Sequence, residues 1–373
     1  MVWDEYTKKH CLVKGMLLNT ITNLPGRGCL SGEATKGYHG CVECLDETVA
    51  KWLPNSNKMV YMGHHRGLLR HHPYRRDKES FDGTEEHRQL PKYRDRKQIF
   101  KEVSKLKVAL GKGKEKVPAP AGSLWKKTSI FWKLSYWKHL TICHSLDPMN
   151  ITKNICASTL GTLLATKGES KDSLKSRMDL EQMGVRPELH PITLEDGTNK
   201  LPVASWTISK GGKEKLLSFF DELKVPTGYC ANLKRLVNMK QFKLNISGMK
   251  AHDCHVMMTQ LLPVALRGIL PDKVRDPIIK LCSFFNAISQ KVIDVHTLDK
   301  LQTDIVHTLC RLEMHFPPTF FDILVHLLVH LVDQIKALGP MFLHQMYPFE
   351  RLMSIFRKYV KNRFRPEGCM VQG

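Results

Sequence analysis

From residue 216 to the C-terminal end the apolar residues recur at the spacing of a helix face, and no other feature constrains the fold as much. Residues 261–266, 274–293, 297–314, 319–338 and 349–362 each repeat apolar side chains three and four apart. That is the mark of helices burying one side. Prolines 263, 271, 277, 317, 318, 340 and 348 fall mostly at their edges, where helices start or stop. Earlier in the chain, residues 155–165 and 170–183 read as two more helices. The second is closed by Gly184 and a turn between Pro187 and Pro191. Residues 99–110 fit a short amphipathic helix, and 12–18 a buried strand or short helix before the turn Asn23-Leu24-Pro25-Gly26. Residues 81–96 and 192–215 read as polar loops. The Lys-, Gly- and Pro-rich run 111–122 reads as a linker. The aromatic block Trp125, Phe131, Trp132, Tyr136 and Trp137 reads as core.

At 373 residues and 42% hydrophobic, the chain is long enough for one large domain or two to three small ones. Its 57 Lys+Arg against 36 Asp+Glu leave a net charge of +21. Such an excess favours a polyanionic partner, most simply nucleic acid, although a merely soluble basic protein shares it. The eleven cysteines are odd in number. The opening Met1-Val2-Trp3-Asp4-Glu5 lacks a basic start and an apolar run, so a reducing compartment is expected. No membrane span is expected, because the nearest candidate, 323–332, is interrupted by His326 and His330. There is no internal repeat. GxxxxGK[ST], a strand-borne GxGxxG and GxSxG are all missing, so NTPase, dinucleotide and hydrolase readings lack their motifs.

Cys41-Val42-Glu43-Cys44 has metal-ligand spacing, since two thiolates two residues apart can hold one edge of a zinc tetrahedron. The other edge is open on the residues alone. His64, His65, His71 and His72 lie near in sequence, inside a basic stretch at 64–76 that also reads as a phosphate-facing loop. His326 and His330 lie far away, one helical turn apart on one face, and also read as core histidines. His252-Asp253-Cys254-His255 resembles a metal box, but adjacent helical residues point apart and Asp253 is better placed to cap a helix. Lys358, Lys361, Arg363 and Arg365, interleaved with Tyr359 and Phe364, form a candidate phosphate-tracking surface. His64, His65, Arg66, Arg70, Arg75 and Arg76 form another. Glu350 and Glu367 are isolated acids in basic surroundings.

Several long strings carry a resemblance. LSGEATKGYHGCVEC, YMGHHRGLLRHHPYR, SIFWKLSYWKHL, AHDCHVMMTQLLPVALRGILP, LEMHFPPTFFDILVHLLVHLV and MYPFERLMSIFRKYVKNRFRPEGC, in this order, resemble plant CACTA (En/Spm)-type transposases. The stretch from 252 to 373 resembles the domain of unknown function that commonly follows their core. The resemblance implies a ribonuclease-H-like core whose acidic triad binds two Mg²⁺. It also implies, by parallel with the vertebrate recombination-activating relative, one zinc shared by Cys41, Cys44, His326 and His330, with Glu350 matching the third acid. The first catalytic Asp is expected upstream of this chain, and the second position holds Asn23, a poorer Mg²⁺ ligand. In LDPMNITKN, Asn150 and Thr152 stand where the family has His and Glu.

The expected fold is α/β plus α, a partial ribonuclease-H-like region followed by a mainly α-helical C-terminal part. Residues 1–75 are expected to form the partial core with CxxC, 76–123 a basic linker, 124–215 the rest of the transposase-like region, and 216–373 the helical domain. The expected protein is transposase-derived, catalytically degenerate, DNA-binding and nuclear or cytoplasmic, with structural zinc, and Mg²⁺ only if active. Alternatives are an active fragment that takes its missing acids from a longer chain, an oligomer or another transposase subunit, and a zinc-stabilised interaction module.

Overall fold

The computed structural model describes residues 1–12, 15–108, 117, 119–226, 228–230 and 232–372. The first half carries six short strands: β1 (Val2–Asp4), β2 (Lys9–Cys11), β3 (Thr20–Thr22), β4 (Lys51–Leu53), β5 (Lys58–Val60) and β6 (His144–Leu146). Two further hairpins, β7–β8 (Ile192–Thr193, Asn199–Lys200) and β9–β10 (Val237–Asn238, Lys243–Leu244), lie beyond. All pairs are antiparallel except β3 with β6, which run parallel with Thr22 opposite Leu146. Each parallel strand feeds a helix through a side-chain cap. Asn23 opens α1 (Leu24–Ser31) and Asp147 opens α3 (Pro148–Leu163), both with proline in the first turn.

The remaining helices are α2 (Arg96–Val103), α4 (Leu174–Met183), α5 (Lys210–Glu222), α6 (Ala251–Val256), α7 (Leu262–Ala265), α8 (Asp272–Ile288), α9 (Leu298–His315), α10 (Ile323–His326), α11 (Leu328–Leu338), α12 (Tyr347–Tyr359) and α13 (Pro366–Gln372). A π-turn, Met257–Leu261, joins α6 to α7. The helical half thus follows the apolar periodicity, with one break. The expected helix over 319–338 restarts twice, first at Asp322, whose carboxylate caps α10 by accepting from Leu324 and Val325 N–H, and again after Leu327. Gly184 closes α4 in the left-handed region, where a side chain would be strained.

One large apolar core runs through the chain, from Leu24 and the CxxC through α3, α5 and α8 to α11 and Met341. The stretch 76–123, expected to be a linker, instead packs into two smaller clusters. This stretch contains α2, whose buried Ile99 and Val103 pack with Leu45 and Trp125, and the fully buried Phe81 packs with Leu68, Val306 and Cys310. The centre of the Lys/Gly/Pro run, 111–116 and 118, lies outside the described residues. Of the aromatic block, Trp125 and Trp137 are buried and the other three half-buried. Residues 192–215 are not wholly loop either, for Trp206 and Ile208 are buried and α5 starts at Lys210. The apolar run 12–18 is the clearest miss. Leu12, Met16, Leu17 and Leu18 are exposed, and the strand begins two residues later. The Leu17 N–H bonds the Tyr136 hydroxyl at 3.1 Å rather than a strand.

Candidate metal centre

The CxxC turn is built by close backbone approach. A Cβ on Gly32, at φ 83°, would stand 2.1 Å from the Lys127 carbonyl, and one on Gly40 would stand 2.3 Å from the Tyr61 hydroxyl. Only glycine fits at either place. The Tyr61 hydroxyl donates to Gly37 O at 2.9 Å, fixing the approach to Cys41. The turn itself closes with Leu45 N–H on Cys41 O at 2.9 Å and Cys44 N–H on Cys41 Sγ at 3.4 Å.

Glu43, between the two cysteines, is the anchor. It accepts from the Arg27 guanidinium at 2.7 Å and from Gln334 Nε2 at 3.3 Å, and lies 3.6 Å from Arg96. Arg27 is fully buried, and also reaches Glu33 at 3.0 Å, the His144 carbonyl at 2.9 Å and the Val42 carbonyl at 3.4 Å. Burial works against its charge, but Glu43 and Glu33 outweigh burial and raise its pKa. Gln334, on α11, accepts the Leu146 N–H at 2.9 Å. One polar chain therefore ties α1, β6, the CxxC turn and α11, and a buried charge made this way is fully paired. Sequence reading named none of Arg27, Glu33 or Gln334, since an isolated Arg or Gln in a string carries no spacing signal.

That chain delivers His326 and His330 to the cysteines. Cys41 Sγ lies 3.3 Å from His330 Nε2, Cys44 Sγ lies 3.4 Å from His326 Nε2 and 3.3 Å from His330 Nε2, and the two ring nitrogens are 3.4 Å apart. All four are buried, with ligand atoms within 4.8 Å of one another. Zinc bonds of about 2.3 Å to sulfur and 2.0–2.1 Å to nitrogen give tetrahedral edges of roughly 3.5 Å. Two thiols and two imidazoles at these separations fit that ion. The electrostatics fit as well. Burial pushes the Cys41 thiol up, yet Cys44 and the two imidazoles carry it well below the usual thiol range. Cys44 moves up, through Cys41 and burial. Burial pushes His326 down, whereas Cys41 holds His330 up against burial. A divalent cation resolves this competition by taking both thiols as thiolates and both rings as neutral donors.

The other candidates fare differently. His64 and His65 are buried around Glu313 on α9, outside the four-ligand group, with the His64 ring 5.6 Å from that of His326. Glu313 accepts from the Gly63 and His64 N–H groups at 3.2 Å each and pairs with His64 Nδ1. Burial alone raises its pKa, but His64 and His65 hold it down to about 2. Arg66 and Arg75 are also buried. Their guanidinium groups bond Glu47 and the carbonyls of Gln89 and Glu47, and those of Leu68, Glu86, Arg88 and Arg66, respectively. These four are therefore corrected from a phosphate-facing surface to interior supports, because all four are buried and both guanidinium groups bond the protein itself. Arg70 and Arg76 are exposed, as are Lys358, Lys361, Arg363 and Arg365. His252 and His255 join no metal group among the described residues. Asp253 caps α6 by accepting the Lys250 N–H at 3.1 Å.

Asn23 and Glu350 are both exposed. The Asn23 side chain is occupied in accepting the Gly26 N–H at 2.9 Å. Beside it, one residue past the paired strand β6, stands Asp147, which sequence reading passed over in favour of Asn150 and Thr152. Asp147 is buried and accepts the Met149 N–H at 3.1 Å. Burial pushes its carboxyl up to about 6, the Met149 and Asn150 N–H groups pull against that, and the charge of Glu350 adds to the rise. Glu350 is thus near the ends of β3 and β6. Among the described residues, however, no three acids gather as the Cys/His four do.

Residues 1–106 match the family model described as transposase family tnp2. Residues 288–373 match a domain of unknown function, DUF4218. No curated protein and no solved structure matches the chain. The two matches support a transposase-family protein.

Proposed function

We propose that this transposase-family chain is a catalytically degenerate relative of the plant CACTA (En/Spm) transposases that binds DNA in the nucleus without cutting it. The observation that carries the reading is the state of the acid site, whose Asn23 lies in the tnp2-matching segment and whose Glu350 lies in the DUF4218-matching one. Asn23 occupies the strand end where the family resemblance puts Asp, its amide oxygen is taken by a helix cap, and Glu350 stands exposed. Two-metal phosphodiester chemistry needs anionic oxygens around ions roughly 3.5–4 Å apart, and a neutral amide supplies none. The parallel β3–β6 pair, each strand running into a helix, supports a ribonuclease-H-like reading of this part. Zinc, held by Cys41, Cys44, His326 and His330, is structural in this reading. It locks both ends of the chain together and takes no part in chemistry. The excess of basic residues supports DNA as the partner.

One titration tests both halves. Duplex DNA is added at several salt concentrations, with and without Mg²⁺ or Mn²⁺. Affinity is expected to fall steeply with salt, by a log–log slope of about −0.9 per phosphate neutralised. Replacing Lys358, Lys361, Arg363 and Arg365 by Ser is expected to flatten that slope, and no nicked strand is expected. A salt-independent response removes DNA as the partner. Metal-dependent nicking that Glu350→Ala abolishes overturns the degenerate reading in favour of an active fragment.

A further inference from the structure

Two cavities flank the Cys/His cluster and share Tyr93 and Asp333 as a common wall. The smaller, of about 280 Å³, has apolar sides from Val49, Met62, Val306 and Val329. Cys44 and His326 line it too, and two other lining side chains each bury one polar atom without a partner, His64 Nε2 and Gln302 Oε1. Neither is loose. Glu313 fixes His64 through Nδ1, and Gln302 is fixed by donating from Nε2 to the Val329 carbonyl at 2.9 Å. Buried polar atoms are nearly always paired, so two fixed and unpaired ones in one cavity call for a ligand. The cavity exceeds the void of roughly 150 Å³ that takes a benzene-sized guest, so it admits a single planar ring. Gln302 Oε1 requires an N–H or O–H donor. The group that fits is therefore flat and edged with hydrogen-bonding groups.

The larger cavity, of about 590 Å³, has the opposite character. Four cations, Arg94, Arg96, Lys97 and Lys138, line it beside three acids, Glu43, Asp95 and Asp333. Arg94 pairs with Asp46 and Glu102, and Arg96 with Glu43. Lys97 and Lys138 form no ion pair among the described residues, and the Lys138 ammonium lies 5.2 Å over the Phe100 ring. Between the two cavities Tyr93 is 52% exposed, with its ring edge-on to His330 at 5.6 Å, and Leu90, which lines the smaller, is 52% exposed too. A ring-sized apolar pocket with two unpaired polar atoms, a half-exposed aromatic beside it and ammonium groups outside any ion pair on the far side match the base, stacking face and phosphate of one nucleotide.

We propose that the smaller cavity receives one unpaired nucleobase of bound DNA, which lies against His64 and Gln302, while its phosphates lie in the larger cavity near Lys97 and Lys138. A base stacked inside a duplex cannot reach such a pocket, so the occupant is an extrahelical or single-stranded nucleotide. This inference rests on the DNA-binding reading and names the form of DNA preferred.

The test uses the full zinc-loaded chain and two duplexes of one sequence, one fully paired and one with a single bulged 2-aminopurine. The bulged duplex is expected to bind on the order of tenfold more tightly, the scale of one stacked base, and the emission of the bulged base is expected to shift on binding. Val49→Trp, which fills the cavity from a half-buried position, is expected to erase this preference while leaving the affinity for the paired duplex and the zinc content unchanged. Gln302→Leu, which keeps the shape but removes the acceptor, reports the same contact without a change of volume and is expected to weaken the preference. Equal affinity for the two duplexes, or a preference that survives both substitutions, overturns the inference and leaves DNA binding standing. Absence of binding to either duplex removes the DNA reading and this inference with it.

Discussion

The Cys/His cluster and the acid-bearing ends of β3 and β6 lie in one molecule, yet they are built differently. At the cluster, four ligands from opposite ends of the chain are buried, and Glu43, Arg27 and Gln334 fix the backbone around them. At the strand ends, Asn23 and Glu350 are exposed, and only Asp147 is buried. The difference shows what each site depends on. Packing and a closed polar network hold the cluster whatever happens to the acids. The acid site needs charges brought together at a cost in repulsion, and among the described residues no three acids gather there.

The sharpest way to break this contrast is to remove the metal. One zinc per chain is expected by atomic absorption, and Cys44→Ser or His330→Ala is expected to abolish it. Structural zinc sites bind with roughly 10–16 kcal/mol in small domains. In a chain with a large core only part of that appears as stability, but a loss of several kcal/mol is expected on chelation. Exposed residues around Glu350 are expected to tolerate Glu350→Ala almost silently by the same melting measurement. If chelation leaves the melting curve unmoved, the four residues are ordinary core and the contrast disappears.

Glu313 tests the network behind the cluster. Its carboxyl is held at about 2, below the ordinary 4.5, so it binds its proton less tightly when folded. Its stabilisation is therefore present above about pH 4.5 and is lost as pH falls towards 2, with an amplitude on the order of 3 kcal/mol. Glu313→Gln is expected to flatten the acid limb of the stability–pH curve in that window. Glu313→Ala, which leaves His64 without its carboxylate, is expected to cost about 3–5 kcal/mol near neutral pH. An unchanged acid limb in Glu313→Gln shows that the pairing contributes nothing.

The pieces of the metal site were legible because ligand spacing is a local property, but only the family resemblance joined Cys41 and Cys44 to the far histidines rather than the near ones. CxxC and a pair of histidines four apart are read from short strings, and the structure brings them together across 282–289 residues. The helices of the second half were legible for the same reason. The supports were not, because Arg27, Glu43 and Gln334 meet only after folding. The basic stretch 64–76 misled because charge density in a string does not tell whether a guanidinium faces phosphate or its own backbone. Arg66 and Arg75 face carbonyls, while Arg70 and Arg76 face solvent. The apolar run 12–18 misled because hydrophobicity shows that a segment favours burial and not that a neighbouring strand exists.

Asp147 gives the smallest effect and the finest test, since its sign is opposite to that of Glu313. Its carboxyl is raised to about 6 from the ordinary 3.8, chiefly by burial, with Glu350 adding to the rise. The folded chain therefore holds this proton more tightly than the unfolded chain. Stability from this group is fully present below about pH 3.8 and is lost as pH rises through 6, by on the order of 2–3 kcal/mol. Asp147→Asn keeps an oxygen that can accept the Met149 N–H and cap α3, but carries no charge. The variant is therefore expected to be more stable than the native chain at pH 7, by up to about 2 kcal/mol, and to match it near pH 4. Glu350→Gln is expected to shift the native titration slightly downward, because one source of the rise is gone. If Asp147→Asn destabilises the chain at pH 7, its charge is being used. A cation shared with Glu350 is then expected, and adding Mg²⁺ to the native chain raises its melting temperature. In that case the contrast drawn above fails at the acid site, which would be closer to assembled than its exposure indicates.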